Sequence, residues 1–321
     1  MTPHAPKRPW VRVAKRIAFA VFLVVVAFLL VRAAQAIAWH DVLAALRALD
    51  PRTLAKALAL TATSYLLYTG FELAARRYAG HDVPTPRVMA IGMVAYAFAL
   101  NVGAVVGGAG FRLRMYTREG LPLNRITRVI AFCVATNWIG YIVLAGALFA
   151  AGVIVPPPTL HMPDYATGAG LRLLGAGMLC FGAAYVVLCR LTHGRIYHLR
   201  GHHFRFPTVR LALLQIAMAA TNWMLMGQVI ACFLPRTGDG EVLAALLLAA
   251  IVTALAHIPS GIGVVEAVFV AMLGHTLPTA QIIAALLAFR ACYFLAPLAV
   301  ATLVFFALEL RGRPTRPGAL P

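Results

Sequence analysis

The sequence predicts an all-α, polytopic membrane protein with six full spans and two re-entrant helical hairpins, arranged as an inverted repeat. Three observations predict it. The chain is 62% hydrophobic and only 12% charged, whereas soluble domains carry about 25% charged residues. Its apolar residues fall in long blocks: 129–163, 211–235, 242–265, 267–289 and 291–308 contain no Asp, Glu, Lys or Arg. Each block reaches the ~18–20 residues that a helix needs to cross a bilayer. The positive charge, +18 net, gathers between blocks, as the positive-inside pattern requires. Barrel strands would instead alternate over short segments. A basic groove with interleaved aromatics could not accommodate apolar runs of this length, so nucleic acid is excluded as a partner.

The elements follow in order. Residues 1–16 are a basic, cytoplasmic N-terminus, and Ile17 to Ala38 is the first span. Ala34-Gln35-Ala36 resembles a signal-peptidase site, but Arg32 stands between it and the apolar run, which argues for an uncleaved span. Residues 32–56 read as an amphipathic interfacial stretch that ends in Asp50-Pro51, a helix start, and the second span lies near 54–75. Further spans lie near 127–153, 173–189, 209–234 and 281–308. Residues 309–321 form a basic cytoplasmic tail. One transmembrane domain, 17–308, therefore divides into halves at about 17–153 and 173–308.

The hairpins come from charge counting. Arg76, Arg77 and Arg87 precede the block 88–111; Arg112, Arg114, Arg118, Arg125 and Arg128 follow it. Both clusters, and the Arg190 to Arg210 loop, are cytoplasmic only if this block enters and returns on one side. The block 242–275 has poorly basic ends near Glu241 and Thr276, so both ends lie outside and this hairpin enters and returns from the far side. Glycine and proline supply the breaks: Gly103, Gly107, Gly108 and Gly110 in the first, Pro259, Gly261 and Gly263 in the second. Ser260 is a candidate cap for the second half-helix. Interrupted apolar segments at matching places in two halves point to a transporter's substrate site.

Few residues offer chemistry. Of ten carboxylates, two stand out. Glu266 lies inside the second hairpin, and Glu72 lies near the end of the second span, four and five residues before Arg76 and Arg77. An i,i+4 pair with Arg76 is the plain alternative for Glu72. Arg290 is the one arginine deep in the last span, and a charge there calls for a partner, for which Glu266 is the natural candidate. Arg112 and Arg114 follow the first glycine run and suit a lipid phosphate. The five cysteines sit in apolar blocks without a CxxC, and His198 and His202 lack the glutamate of a metalloprotease motif. No metal, cofactor or catalytic set is predicted, and the chain is not expected to be an enzyme.

Several stretches carry a resemblance: Tyr68-Thr69-Gly70-Phe71-Glu72 with Arg77-Tyr78, Gly107-Gly108-Ala109-Gly110-Phe111-Arg112-Leu113-Arg114-Met115-Tyr116, Pro259-Ser260-Gly261-Ile262-Gly263-Val264-Val265-Glu266, and Arg290-Ala291-Cys292-Tyr293 with Pro297. Over most of residues 10–310 the chain resembles the lysylphosphatidylglycerol synthase transmembrane-region family, the flippase-like membrane part of the bacterial multiple-peptide-resistance factor. The resemblance implies two inverted halves and movement of a phospholipid, aminoacylated in the larger proteins, between leaflets. The soluble aminoacyltransferase domain of those proteins is not expected here. Glu72 stands where the family usually has Asp, and Phe111 where it has a polar residue. The expected substrate-binding set is Glu72, Arg112, Arg114, Glu266 and Arg290, with a phospholipid headgroup as ligand and the bacterial inner membrane as location. The alternatives are a non-catalytic partner of a separately encoded synthase, a transporter for a different small amphiphile, or a membrane-embedded lipid-modifying enzyme; a separate synthase or a second copy of the chain is the expected protein partner.

Overall fold

A computed structural model describes residues 49–153, 168–192, 197–199, 202–256 and 261–311, with scattered positions before 49. The first span near 17–38 falls largely outside the described residues, as do Pro259, Ser260 and the tail beyond 311. Ten helices carry the described chain: α1 (Pro51–Ala79), α2 (Thr85–Val102), α3 (Phe111–Arg118), α4 (Leu123–Ala150), α5 (Gly168–Leu191), α6 (Val209–Ala231), α7 (Asp239–Ala256), α8 (Val264–Leu273), α9 (Thr279–Phe289) and α10 (Ala296–Arg311). Wider, π-helical turns at Ala104–Gly110 and Arg290–Leu295 lead into α3 and join α9 to α10. Between α5 and α6, the histidine-rich loop forms a short antiparallel ribbon that pairs Tyr197 with Phe204 and His198 with His203. The molecule is a helical, polytopic membrane protein: among the described residues, six helices or joined helices are long and apolar enough to cross a bilayer.

Helix α1 is the least apolar of the long helices. It starts at Asp50-Pro51, since proline suits the first helical position, and ends at Gly80, whose φ of 67° closes the last turn on the Arg76 carbonyl. Its polar residues Thr61, Ser64, Thr69 and Glu72 point inward and are buried. Packed against it are α2, α4, α6 and the turn at 290–295. Lipid tails are as apolar as leucine, so close backbone approach does much of the cohesive work in a membrane. Gly140 of α4 lies against Ala219 of α6, and Gly146 of α4 against Gly175 and Met178 of α5.

Two helical hairpins are present. The first reverses at Gly103, whose φ of 102° and ψ of 157° exclude other residues at little strain. Beyond it the chain folds back on α2, so that a Cβ on Gly107 would sit 2.1 Å from the Phe98 carbonyl oxygen. Phe111 stacks on Phe98 with ring centroids 4.0 Å apart. The break is therefore at Gly103 alone. Gly107 and Gly108 serve close packing, and Gly110 has ordinary helical dihedrals. In the second hairpin α8 packs back against α7, with left-handed φ values at Gly261 and Gly263.

Substituting Gly107 by Ala is expected to abolish folded protein, because backbone rather than a movable side chain opposes the new methyl group. Gly177→Ala on α5, where nothing lies within 4 Å, is expected to be neutral or to stabilise by up to about 1 kcal/mol. Monodisperse yield in detergent and thermal unfolding distinguish the two.

Candidate functional site

Each hairpin is fastened by a buried arginine that holds a carboxylate and a glycine carbonyl at once. In the first, Arg112 at the start of α3 reaches Glu72 on α1. Its Nε donates to Oε1 and Oε2, each at 3.1 Å, and its Nη2 donates to Oε2 at 2.9 Å. Arg112 Nη1 donates to the Gly108 carbonyl at 3.2 Å. The Tyr116 hydroxyl adds a bond to Oε1 at 3.0 Å, and the Cys133 thiol lies 3.4 Å from Oε2. Gly92 on α2 makes room for this carboxylate, since a Cβ there would lie 3.1 Å from the Glu72 Cβ. The pair is closed, with the Glu72 side chain fully buried and that of Arg112 4% exposed.

In the second, Arg290 donates from Nε to Glu266 Oε1 at 2.8 Å and from Nη2 to Oε2 at 3.1 Å. Its Nη2 also approaches the Gly261 carbonyl at 3.4 Å. Glu266 turns back to accept from the Gly263 amide at 2.8 Å, capping α8 with its own side chain. The cap is thus three residues downstream of Ser260, which lies outside the described residues. This pair is more open: the Glu266 side chain is 19% exposed.

The other predicted residues are placed elsewhere. Glu72 does not pair with Arg76, which instead bonds the His81 carbonyl and Thr85. Arg114 donates to Glu309 at 3.2 Å, and Arg118 grips the same carboxylate, so α3 is tied to α10. Beside the first pair, His81 is buried with its ring edge-on to Tyr116 at 5.4 Å, and among the described residues neither ring nitrogen has a hydrogen bond. Burial, then the nearby Arg76 charge, pushes its pKa down.

Sequence reasoning missed the polar cluster where the two halves meet. The Tyr293 hydroxyl lies 2.6 Å from Ser64 Oγ and 2.9 Å from the Tyr96 hydroxyl. Asn222 Oδ1 accepts from Ser64 at 2.8 Å, and its Nδ2 donates to Tyr96 at 3.3 Å. The wide turn at 290–295 leaves carbonyls off the regular helical ladder, and side chains take them up: Tyr65 donates to the Tyr293 carbonyl and Asn101 to that of Phe294. Tyr68 stacks on Tyr96 with centroids 3.6 Å apart. The available signal was a set of polar residues at helical spacing on otherwise apolar helices: Ser64, Tyr65 and Tyr68 on one, Asn222 on another.

These features define a multi-pass helical membrane protein, with two hairpins closed by ion pairs around a polar seam. The model of the lysylphosphatidylglycerol synthase TM region matches residues 17–301, and the chain belongs to that family. It is 38% identical over 309 residues to the inner membrane protein YbhN of Escherichia coli K12, covering 95% of each chain. It is 28% identical over 278 residues to the uncharacterized protein slr0712 of Synechocystis, covering 85% of this chain and 84% of that one.

A buried ion pair roughly balances its desolvation cost, but removing one partner strands the other charge at about 3–5 kcal/mol. Glu72→Gln is therefore expected to lower thermal stability in detergent strongly. Glu72→Gln combined with Arg112→Gln is expected to lose much less than the sum of the single variants. Additive losses would mean that the two side chains are not coupled.

Proposed function

We propose that this protein moves a phospholipid between the leaflets of the inner membrane in the manner of a flippase. The observation that carries this reading is the pair of buried carboxylate–arginine clamps, one on each hairpin, flanking a polar seam of Ser64, Tyr96, Asn222 and Tyr293. A headgroup crossing a bilayer must exchange its hydration for other polar partners, and desolvation is the barrier. A clamp that opens offers a carboxylate to a cationic group and a guanidinium to a phosphate. The ligand-contacting set in this reading is Glu72, Arg112, Glu266 and Arg290. Arg114 instead braces α3 through Glu309.

In this reading both hairpins are re-entrant, from opposite sides, and both termini are cytoplasmic, as the arginine-rich loops require. The more exposed Glu266–Arg290 pair meets the headgroup first, and the closed Glu72–Arg112 pair opens in turn, which gives alternating access. The chain performs no bond-making step of its own. The family resemblance and the inner-membrane relative support the reading.

Glu266→Gln should abolish leaflet transfer of a fluorescent phospholipid in proteoliposomes while leaving a folded, monodisperse protein. Transfer at the wild-type rate by that variant would exclude the mechanism. Stable co-purification of a soluble synthase, with no transfer by the wild-type chain, would favour the role of a synthase partner instead.

A further inference from the structure

A second basic feature lies apart from both clamps. Between the end of α1 and the start of α6 is a cleft of about 280 Å³, lined by Arg77, Tyr78, Arg205, Arg210, Leu211 and Leu214 among others. Among the described residues no carboxylate lines it. The arginines of the clamps and of α3 each face a Glu side chain, whereas Arg77, Arg205 and Arg210 have no ion-pair partner among the described residues. They are also exposed. The Tyr78 hydroxyl donates to the Arg205 carbonyl at 2.6 Å, which fixes the backbone that presents Arg205. Thr208 accepts from the Leu211 amide at 3.3 Å and so fixes the start of α6 that presents Arg210. Three convergent guanidinium groups on a braced rim are suited to an anion, since each offers a fork of donors matched to phosphate oxygens.

The apolar side of the cleft decides which anion. Leu214 is 41% exposed, and Leu213 beside it on the outward surface of α6 is 52% exposed. In a membrane protein that surface meets acyl chains. A free phosphate would use only the arginines, whereas a phospholipid would also lay its tails along α6. Basic pockets between membrane helices are suited to anionic headgroups. We propose that this cleft is a binding site for an anionic phospholipid, its phosphate on Arg77, Arg205 and Arg210 and its acyl chains along Leu211 and Leu214. The site shares no residue with the clamps, and it stands whether or not the protein moves lipid.

The test uses the full-length protein in detergent, exposed in turn to phosphatidylglycerol and to phosphatidylethanolamine with the same acyl chains. Bound lipid is read by native mass spectrometry. Wild type should retain phosphatidylglycerol over phosphatidylethanolamine. The variant Arg77→Gln/Arg205→Gln/Arg210→Gln should retain the two equally, while Arg172→Gln on α5 should behave as wild type. If the triple variant is not folded, Arg205→Gln and Arg210→Gln singly should each give a partial loss with an unchanged melting temperature. Equal retention by wild type and the folded variants would overturn the proposal. So would full displacement of phosphatidylglycerol by excess inorganic phosphate, which would indicate a free-anion site.

Discussion

The structure depends on what a guanidinium does when it is buried against a helix break. A chain that reverses inside a membrane exposes backbone groups that water cannot satisfy, and such backbone persists only where protein or a polar cavity takes it up. Here each hairpin carries an arginine that binds a glycine carbonyl, of Gly108 or Gly261, and a carboxylate at the same time. The carboxylate neutralises the arginine, and the helix that carries the remaining partner is fixed to the hairpin. Removing any one group leaves the other two exposed to an apolar surround.

The two clamps differ in a way that bears on function. Glu72 is enclosed by Arg112, Tyr116 and Cys133 and has no contact with solvent. Glu266 is shared between Arg290 and the amide of Gly263, the cap residue of α8, and is partly exposed. One clamp is thus shut and the other ajar. Between them, the turn at 290–295 presents Arg290 to the second clamp and Tyr293 to the polar seam. Movement of that turn would act on the second clamp and on the seam together.

Much of this was legible in the sequence. Unbroken apolar blocks gave the helices, and the glycine-rich run within 88–111 holds the helix break that the structure shows at Gly103. Arg290 demanded a carboxylate, and Glu266 supplied it. The partner of Glu72 was not legible, because Arg112 is 40 residues away and Arg76 stood at helical spacing. Arg114 and Arg112 read alike as phosphate ligands, yet a helix places them on different faces, so one meets Glu72 and the other Glu309. The polar seam escaped because Ser64, Tyr96, Asn222 and Tyr293 lie on four separate elements, and only packing brings them together.

The central claim is that the shut clamp opens during lipid movement, and Cys133 reports on it directly, since its thiol lies against Glu72 and is 1% exposed. The decisive measurement is the rate at which N-ethylmaleimide labels Cys133 in liposomes, in a chain whose Cys180, Cys189, Cys232 and Cys292 are replaced by Ala. The account predicts steady labelling in that background and much slower labelling when Glu266→Gln is added, because blocking the open clamp keeps the other shut. Identical rates in the two proteins would contradict it.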